Sequence, residues 1–474
     1  MADLARPEML GGPSRVEVLF ATYFDTLGRI LDRNGISFRI RKSGEHLVQT
    51  IKSDGQSSSG LFTRSERELE VETIEPALSR DDPVYALLES SGSKLHPMFS
   101  TDVRRSTWLF VNADCVIELV CDCGFISADD RKCAISEMEL ELRSGPRACV
   151  FKKAAELAQL LPVRLGVLTK PERGWMLREP ERTCFKADKL LMDQGSRTAD
   201  AFRQVCWHCI RLYRINEDLL LAGQGSEALH QARVAIRRLR AAMSSFRKLV
   251  AGDPQATDLK QELRWLAAQL GMVRDIDVLL ERANSVSIRI NLHDQRTKAY
   301  ESLCRALDSS RARILFLNLA GWLSEGAWLH LHATEKLRAR PIRKLAVAAL
   351  ERLHRKVERA GATLFEPDND EGRHALRKDA KKLRYASEFF ASQFQAAKQK
   401  CRYKKFLSTL EDLQDHLGQL NDRATTLALI RQMDIQGGLA SFEGGDSTSK
   451  EALIASAQSA HAALMKTKPF WEAK

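Results

Sequence analysis

The stretch HQARVAIRRLRAAMSSF, residues 230–246, puts one histidine and four arginines within eleven positions. A second stretch, HALRKDAKKLRYASEFF at 374–390, repeats the order His, Arg, basic pair, Leu, Arg and Phe at an offset of 144 residues. On a helical wheel of about 100° per residue, His230, Arg233, Arg237 and Arg240 fall within an arc of about 80°. His374, Arg377, Lys381 and Arg384 occupy the same arc in the second copy. Like charges stacked on one face weaken an isolated helix through i,i+3 and i,i+4 repulsion, and residues 230–246 contain no acid to relieve it. Two readings follow. The stripes are neutralised by carboxylates of neighbouring helices, such as Asp275 and Asp277, or they face a common groove that holds an extended polyanion. Guanidinium groups suit the second reading because they grip phosphate oxygens bidentately, while lysine adds a point charge.

Around these stretches the hydrophobic period is helical, with long Ala/Leu/Arg/Glu runs at 199–222, 227–250, 256–284, 335–361, 371–396, 402–432 and 449–466. The breaks AGQGSEA, AGDPQA, EPDNDE and QGGLASFEGGDSTS are turn-rich connections of the kind that join antiparallel helices. LGMVRDID at 270–277 is answered by LGQLNDRA at 417–424, which extends the repeat beyond one helix and predicts two similar bundles. Before residue 190 the pattern changes. ISFRIRK, HLVQTIK, RELEVET, STWLFVN, CVIELVCD and AISEMELEL alternate with period two between turn residues and predict strands. The polar GQSSSG at 55–60 predicts a loop between two of them, and FKKAAELAQLL predicts a helix near 151–161. Strands followed by helices alone predict two domains of different class, with a boundary near residue 190.

Charge divides along the same line. Residues 1–190 hold 27 basic and 29 acidic side chains, leaving 46 and 33 to the remainder, so a net −2 precedes a net +13. The helical half therefore attracts polyanions. No apolar run approaches the roughly 18–20 residues of a membrane span, and the N-terminal residues contain no apolar signal core, so the expectation is a soluble cytoplasmic protein without a membrane partner. The ten cysteines show no framework spacing. Cys206 and Cys209 form a C-x-x-C inside a helical run with no second pair to complete a zinc site, which predicts buried thiols; Cys121 and Cys123 are read the same way.

The paired motifs H-x-x-R-x-x-x-R-R-x-R and H-x-x-R-x-x-x-K-K-L-R-Y resemble the CHAD family, the conserved-histidine α-helical domain. The resemblance implies two four-helix bundles in pseudo-twofold relation, with a basic groove for inorganic polyphosphate. Its binding positions correspond to His230, Arg233, Arg237, Arg238, Arg240, His374, Arg377, Lys381, Lys382 and Arg384. Arg274 and Asp275 match the family's R-D, whereas the second copy carries Asn421 and Asp422, a departure that makes the two ends of the groove unequal. By the same resemblance, polyphosphate granules are an expected location.

In the strand domain, Arg39 and Arg41 share a face, as do Glu137, Glu139 and Glu141, because i and i+2 point the same way. Such a face is either a mixed-charge surface or the lining of a closed sheet that clamps phosphate with cations and a divalent metal with carboxylates. TYFDT at 22–26, SFRIR at 37–41, QTIK at 49–52, Thr101 with Arg105, and SEMELEL at 136–142 resemble the CYTH fold, the triphosphate tunnel domain that often precedes CHAD in bacterial inorganic triphosphatases. The resemblance implies an antiparallel β tunnel over 15–185 ahead of the all-α CHAD domain over 195–470, and triphosphate binding by Arg39, Arg41, Lys52, Arg105 and Lys170, with Glu137 and Glu139 toward Mg²⁺ or Mn²⁺. Glu118 and Asp122 are secondary candidates, and no catalytic residue is assigned. The family's opening E-x-E-x-K strand has no match in the some twenty residues before Tyr23, which predicts either an impaired tunnel or a chain that starts inside its first domain.

Three functions therefore stand side by side. The first is a polyphosphate-binding protein with an impaired triphosphate site. The second is a metal-dependent triphosphatase that cleaves tripolyphosphate to pyrophosphate and phosphate. The third is a weak, non-specific nucleic-acid binder, disfavoured because the stripes lack interleaved aromatics for base stacking.

Overall fold

The computed structural model describes residues 12–58, 61–223, 225–361, 369–432 and 449–472. Its chain forms two compact units, one comprising residues up to Thr183 together with Asp308–Glu325, the other Cys184–Leu307 and Gly326 onward.

The first unit is built on a seven-stranded antiparallel sheet of order β4-β3-β2-β1-β5-β6-β7. The strands are β1 (Arg15–Asp25), β2 (Ile36–Ser43), β3 (His46–Ser58), β4 (Leu61–Val71), β5 (His96–Val111), β6 (Val116–Ala128) and β7 (Arg131–Ser144). Alternation sorts their side chains onto two faces. On one face Phe24, Phe38, Ile40 and Ile51 pack with Leu31 of α1 (Ile30–Arg33) and Val84 of α2 (Pro83–Ser91). Further along that face Trp108, Leu119 and Cys121 pack with Leu157 and Leu161, at the end of α3 (Ala148–Leu160). The opposite face is apolar at one end, where Tyr23, Phe99, Val103, Ile126 and Ile135 surround Trp175 of α4 (Lys170–Arg178), and charged over the rest. Two glycines permit this packing. A Cβ on Gly124 would stand 2.0 Å from the Asp102 carbonyl oxygen, and one on Gly174 would stand 2.4 Å from the Phe99 ring, so β6 presses on β5 and α4 on the sheet only without side chains there.

In the second unit the helices are α5 (Thr198–Leu221), α6 (Ser226–Ser245), α7 (Pro254–Arg282) and α8 (Val286–Asp308), then α10 (Glu335–Ala339), α11 (Ile342–Gly361), α12 (Asp370–Phe390), α13 (Ala397–Gln432) and α14 (Lys450–Lys466). The helix between them, α9 (Ser310–Glu325), belongs to the first unit, where it packs on α3 and brings Gly321 against Phe151. In the second unit α6 packs on α5 and α7, α12 on α11 and α13, and the two repeated helices α6 and α12 pack on each other.

An antiparallel sheet followed by a helical region is the expected fold class. Local expectations need correction. Helices α8 and α9 fall where no helical run is read from the sequence, β4 begins at Leu61 rather than Arg67, and Gly55–Ser58 of the expected polar loop lie within β3. Residues 59–60 of that loop, most of QGGLASFEGGDSTS, and parts of AGQGSEA and EPDNDE lie outside the described residues. Cys206 and Cys209 are buried free thiols, whereas Cys123 is exposed. Among the described residues no helix is long and apolar enough to cross a membrane.

Candidate functional site

Each unit concentrates ionisable side chains at one place. In the first, strand register decides which charges meet. Arg39 on β2 lies opposite Tyr23 on β1 and Thr50 on β3, and Lys52 on β3 lies opposite Glu66 on β4. On the other side of β1, Glu17 faces Arg105, Arg105 faces Asp122, and Asp122 faces Glu137. All these residues point to the face that α4 covers at one end. In a flat sheet the five strand steps from β3 to β7 would separate Lys52 and Glu139 by roughly 24 Å, well beyond the reach of a screened charge. Yet the Glu139 carboxylate acts on the Lys52 ammonium, and Arg105 acts on Arg41. The sheet is therefore curled, with its charged face inward. Glu139 agrees, since its side chain is 54% exposed yet burial works against its charge, as for a group lining an open concavity, and Lys170 outweighs that burial and holds the carboxyl below its usual range.

Carboxylates and cations are in close contact at one side of this concavity. Arg105 grips Asp122 with two parallel hydrogen bonds, Nε to Oδ1 at 2.8 Å and Nη2 to Oδ2 at 2.7 Å. Lys170 lies among three carboxylates, 2.8 Å from Asp122 and 2.9 Å from Glu139, and in contact with Glu137. Arg173, one turn further along α4, donates from Nη1 to Glu137 at 3.1 Å. Burial works against charge on Asp122, but Arg105 and Lys170 outweigh it and hold the carboxyl below its usual range. Burial likewise works against the Lys170 ammonium, and Glu139, Glu137 and Asp122 outweigh it and raise its pKa. Oxygens of Asp122, Glu137 and Glu139 all lie within 4.8 Å of one another, and three hard carboxylate donors at that spacing fit Mg²⁺ or Mn²⁺.

The other side of the concavity carries Arg39, Arg41 and Lys52. Burial, followed by the Arg39 charge, lowers the pKa of both Arg41 and Lys52. Their partners are acids of β4 that no expectation from the sequence includes: Lys52 meets Glu66 at 2.9 Å, Arg39 meets Glu66 at 4.0 Å, and Arg41 meets Glu68 at 3.6 Å. The signal was the period-two acids of SERELEV, but only the β3–β4 register turns them toward the cations. Glu118 and Glu141 are engaged elsewhere, both pairing with Arg143.

In the second unit, α6 and α12 bring the two basic stripes together. Arg237, Arg274 and Arg377 act on the charge of Arg233, Arg237 acts on Arg377, and Arg237, Arg377 and Arg384 act on Lys381. Burial, reinforced by Arg237 and Arg377, pushes Lys381 down to about 7; burial also pushes Arg233 down to about 10, with Asp275 opposing and Arg237 assisting. Counterions are few and loosely placed. Arg233 stands 3.6 Å from Asp275, and its counterpart Arg377 stands 3.8 Å from Asp422. Asp277, the other expected counterion, instead pairs with Arg296 at 2.6 Å. Among the described residues neither Arg237 nor Lys381 has a carboxylate within salt-bridge distance, and the buried Nε atoms of Arg237, Arg377 and Arg384 lack hydrogen-bond partners.

The remaining expected positions divide. Arg238 is turned into the interior, where it contacts Glu388 and lies over the Phe389 ring, because it sits about 100° from Arg237 on the helix. Its place in an open groove is thereby corrected. Lys382 pairs with Asp379 at 2.7 Å. Arg384 reaches Glu388 at 3.4 Å and Glu411 at 3.7 Å, while its counterpart Arg240 is exposed beside Arg264. Arg274 pairs with Glu281 at 3.0 Å, and Asn421, its counterpart, meets His374 Nδ1 at 2.5 Å. Burial and the charge of Arg237 lower the pKa of His230, which favours the neutral ring.

Family models match the chain in two places, a CYTH domain over residues 4–174 and a CHAD domain over residues 204–431. An inorganic triphosphatase of Haemophilus influenzae is 32% identical over 157 residues, which are 33% of this chain and 45% of that protein. An uncharacterized protein of Mycobacterium tuberculosis is 29% identical over 189 residues, 36% of this chain and 35% of its own length. The chain thus spans less than half the length of these curated relatives. The crystal structure of the CHAD domain from the plant Ricinus communis covers 60% of this chain and 90% of its own at 25% identity, with a TM-score of 0.48.

Proposed function

For this chain, a CYTH domain followed by a CHAD domain, we propose that inorganic polyphosphate is the ligand and that the groove between α6 and α12 binds it. One observation carries the reading: Arg237 and Lys381, equivalent residues of the two repeats, face each other beside Arg233 and Arg377 with too few acids to neutralise them. Buried cations in excess of their counterions are stabilised by an anion that supplies several charges at short intervals. Arg233, Arg237, Arg274, Arg377, Lys381 and Arg384 carry the contact, His230 and His374 orient the stripes, and Arg238 and Lys382 hold the helices. Cytoplasmic polyphosphate granules are the corresponding location.

A second reading, cleavage of tripolyphosphate in the curled sheet, is favoured by the convergence of Asp122, Glu137 and Glu139 opposite Arg39, Arg41 and Lys52. These three carboxylates would hold a divalent ion such as Mg²⁺ or Mn²⁺, which supplies charge neutralisation for the phosphoryl oxygens. Arg39, Arg41, Lys52 and Arg105 bind and orient the triphosphate, and Glu66 and Glu68 hold the first three cations in position until it arrives. Because Glu66, Glu68, Asp122, Glu137 and Glu139 offset all but one of the cations Arg39, Arg41, Lys52, Arg105, Lys170 and Arg173, the concavity binds a naked polyanion weakly, and the helical groove supplies the affinity.

The test is titration of the purified chain with long-chain polyphosphate and with tripolyphosphate in Mg²⁺, following both binding and released phosphate. Tight binding of long chains without release supports the first reading alone. Release of phosphate that is abolished by Glu139→Ala adds the second. Equal displacement of bound polyphosphate by duplex DNA at physiological salt would overturn polyphosphate selectivity in favour of a general polyanion binder.

A further inference from the structure

The three carboxylates that fit a divalent ion already surround a cation belonging to the chain. Lys170 lies within ion-pair reach of all three and is only 11% exposed. Its backbone is fixed. It is the first residue of α4, whose N-terminus is closed by a reciprocal capping box between Thr169 and Glu172, and whose Gly174 and Trp175 are pressed against Phe99. Only the flexible side chain is free to change position.

The charges explain why it would do so. Asp122, Glu137 and Glu139 are matched by Arg105, Lys170 and Arg173, so the cluster is neutral as it stands. A divalent ion entering beside Lys170 would place a fourth cation against oxygens that Arg105, Lys170 and Arg173 already engage. We infer that Lys170 and the divalent ion compete for one seat, so that metal entry expels the ammonium toward the triphosphate and the two ligands bind cooperatively. The inference rests on the metal site of the second reading above. It adds that the site is self-filled at rest: metal alone binds weakly because it must displace Lys170 and leaves surplus positive charge, and triphosphate relieves that surplus. Each ligand then raises the affinity of the other by the same factor.

The test uses the whole chain without any phosphate. Mn²⁺ titration followed by electron paramagnetic resonance should show Lys170→Met binding at least about tenfold more tightly than wild type, since removing the ammonium leaves buried Asp122, half-buried Glu137 and exposed Glu139 one cation short. Lys170→Arg, which keeps the cation, should bind no more tightly than wild type. A measurement on unaltered protein guards against a variant that fails to fold: acetylation of Lys170, read by peptide mass spectrometry, should accelerate on adding Mn²⁺. Equal or weaker Mn²⁺ binding in Lys170→Met, or labelling that Mn²⁺ leaves unchanged while it binds, overturns the competition even if tripolyphosphate is hydrolysed. Absence of Mn²⁺ binding in every form overturns both the competition and the metal site beneath it.

Discussion

Phe246 and Phe390 hold the same place in the two copies of the repeated helix, and they touch, with ring centroids 5.7 Å apart and both side chains fully buried. Equivalent residues meet only on or beside the axis that relates two copies. The repeat read from the sequence is therefore a packing relationship. Arg237 and Lys381, nine residues earlier in each copy, flank the same axis. Truncating either ring, Phe246→Ala or Phe390→Ala, is expected to cost about 3–5 kcal/mol. Because the rings share one contact, the double variant should lose less than the sum, measurable by denaturant unfolding.

Charge reversal separates a built groove from a diffuse field. Arg237→Glu and Lys381→Glu should each weaken binding of long-chain polyphosphate far more than Arg143→Glu in the sheet, where Arg143 already pairs with Glu118 and Glu141. Calorimetry at physiological salt checks this, and equal losses at all three positions would assign the affinity to net charge alone.

The two ends of the groove should differ. At one end Arg240 lies beside Arg264 and Arg274 lies near His230; at the other Arg384 is met by Glu388 and Glu411, and Asn421 replaces the arginine. Arg240→Glu is accordingly expected to reduce polyphosphate affinity more than Arg384→Glu, whose wild-type charge is already shared. Matching losses would show that the acids move aside on binding.

Proton linkage at Lys381 gives a pH test. Burial, with Arg237 and Arg377, places its pKa at about 7, so the free protein carries this charge at pH 6 and has largely lost it at pH 8. Affinity for polyphosphate should fall as pH rises through 7, and Lys381→Arg should flatten the fall because a guanidinium stays charged. Titrations at pH 6, 7 and 8 read the slope. Stability runs in the opposite sense. The folded value lies below the unfolded value of about 10.4, so the unfolded chain holds the extra proton between the two and stability rises with pH across that window.

Much of this arrangement is legible in the residues themselves. The spacing of His230, Arg233, Arg237 and Arg240, repeated 144 residues later, contains both the helix and its basic face, and the period-two runs contain the strands. Register is not legible in this way, because alternation tells which residues share a face of one strand and not which strand lies beside it. Glu66 and Glu68 therefore emerge as partners of Lys52, Arg39 and Arg41 only in the folded sheet, as does the meeting of Asp122 with Glu137 and Lys170. Arg238 shows a different limit: a motif names it beside Arg237, while the helical twist sends it inward to Glu388.

The segment Asp308–Glu325 is surrounded in sequence by the second unit yet belongs to the first, where its Leu315, Phe316, Leu319 and Trp322 are buried. The polypeptide consequently passes between the units three times. A protease nick between Thr183 and Cys184 would not release two intact pieces, since the shorter fragment would leave α9 behind and expose the apolar bed it covers. Expression of either half by cutting at the domain border should give poorly soluble protein, and grafting residues 308–325 onto the end of the sheet fragment through a flexible linker should restore it.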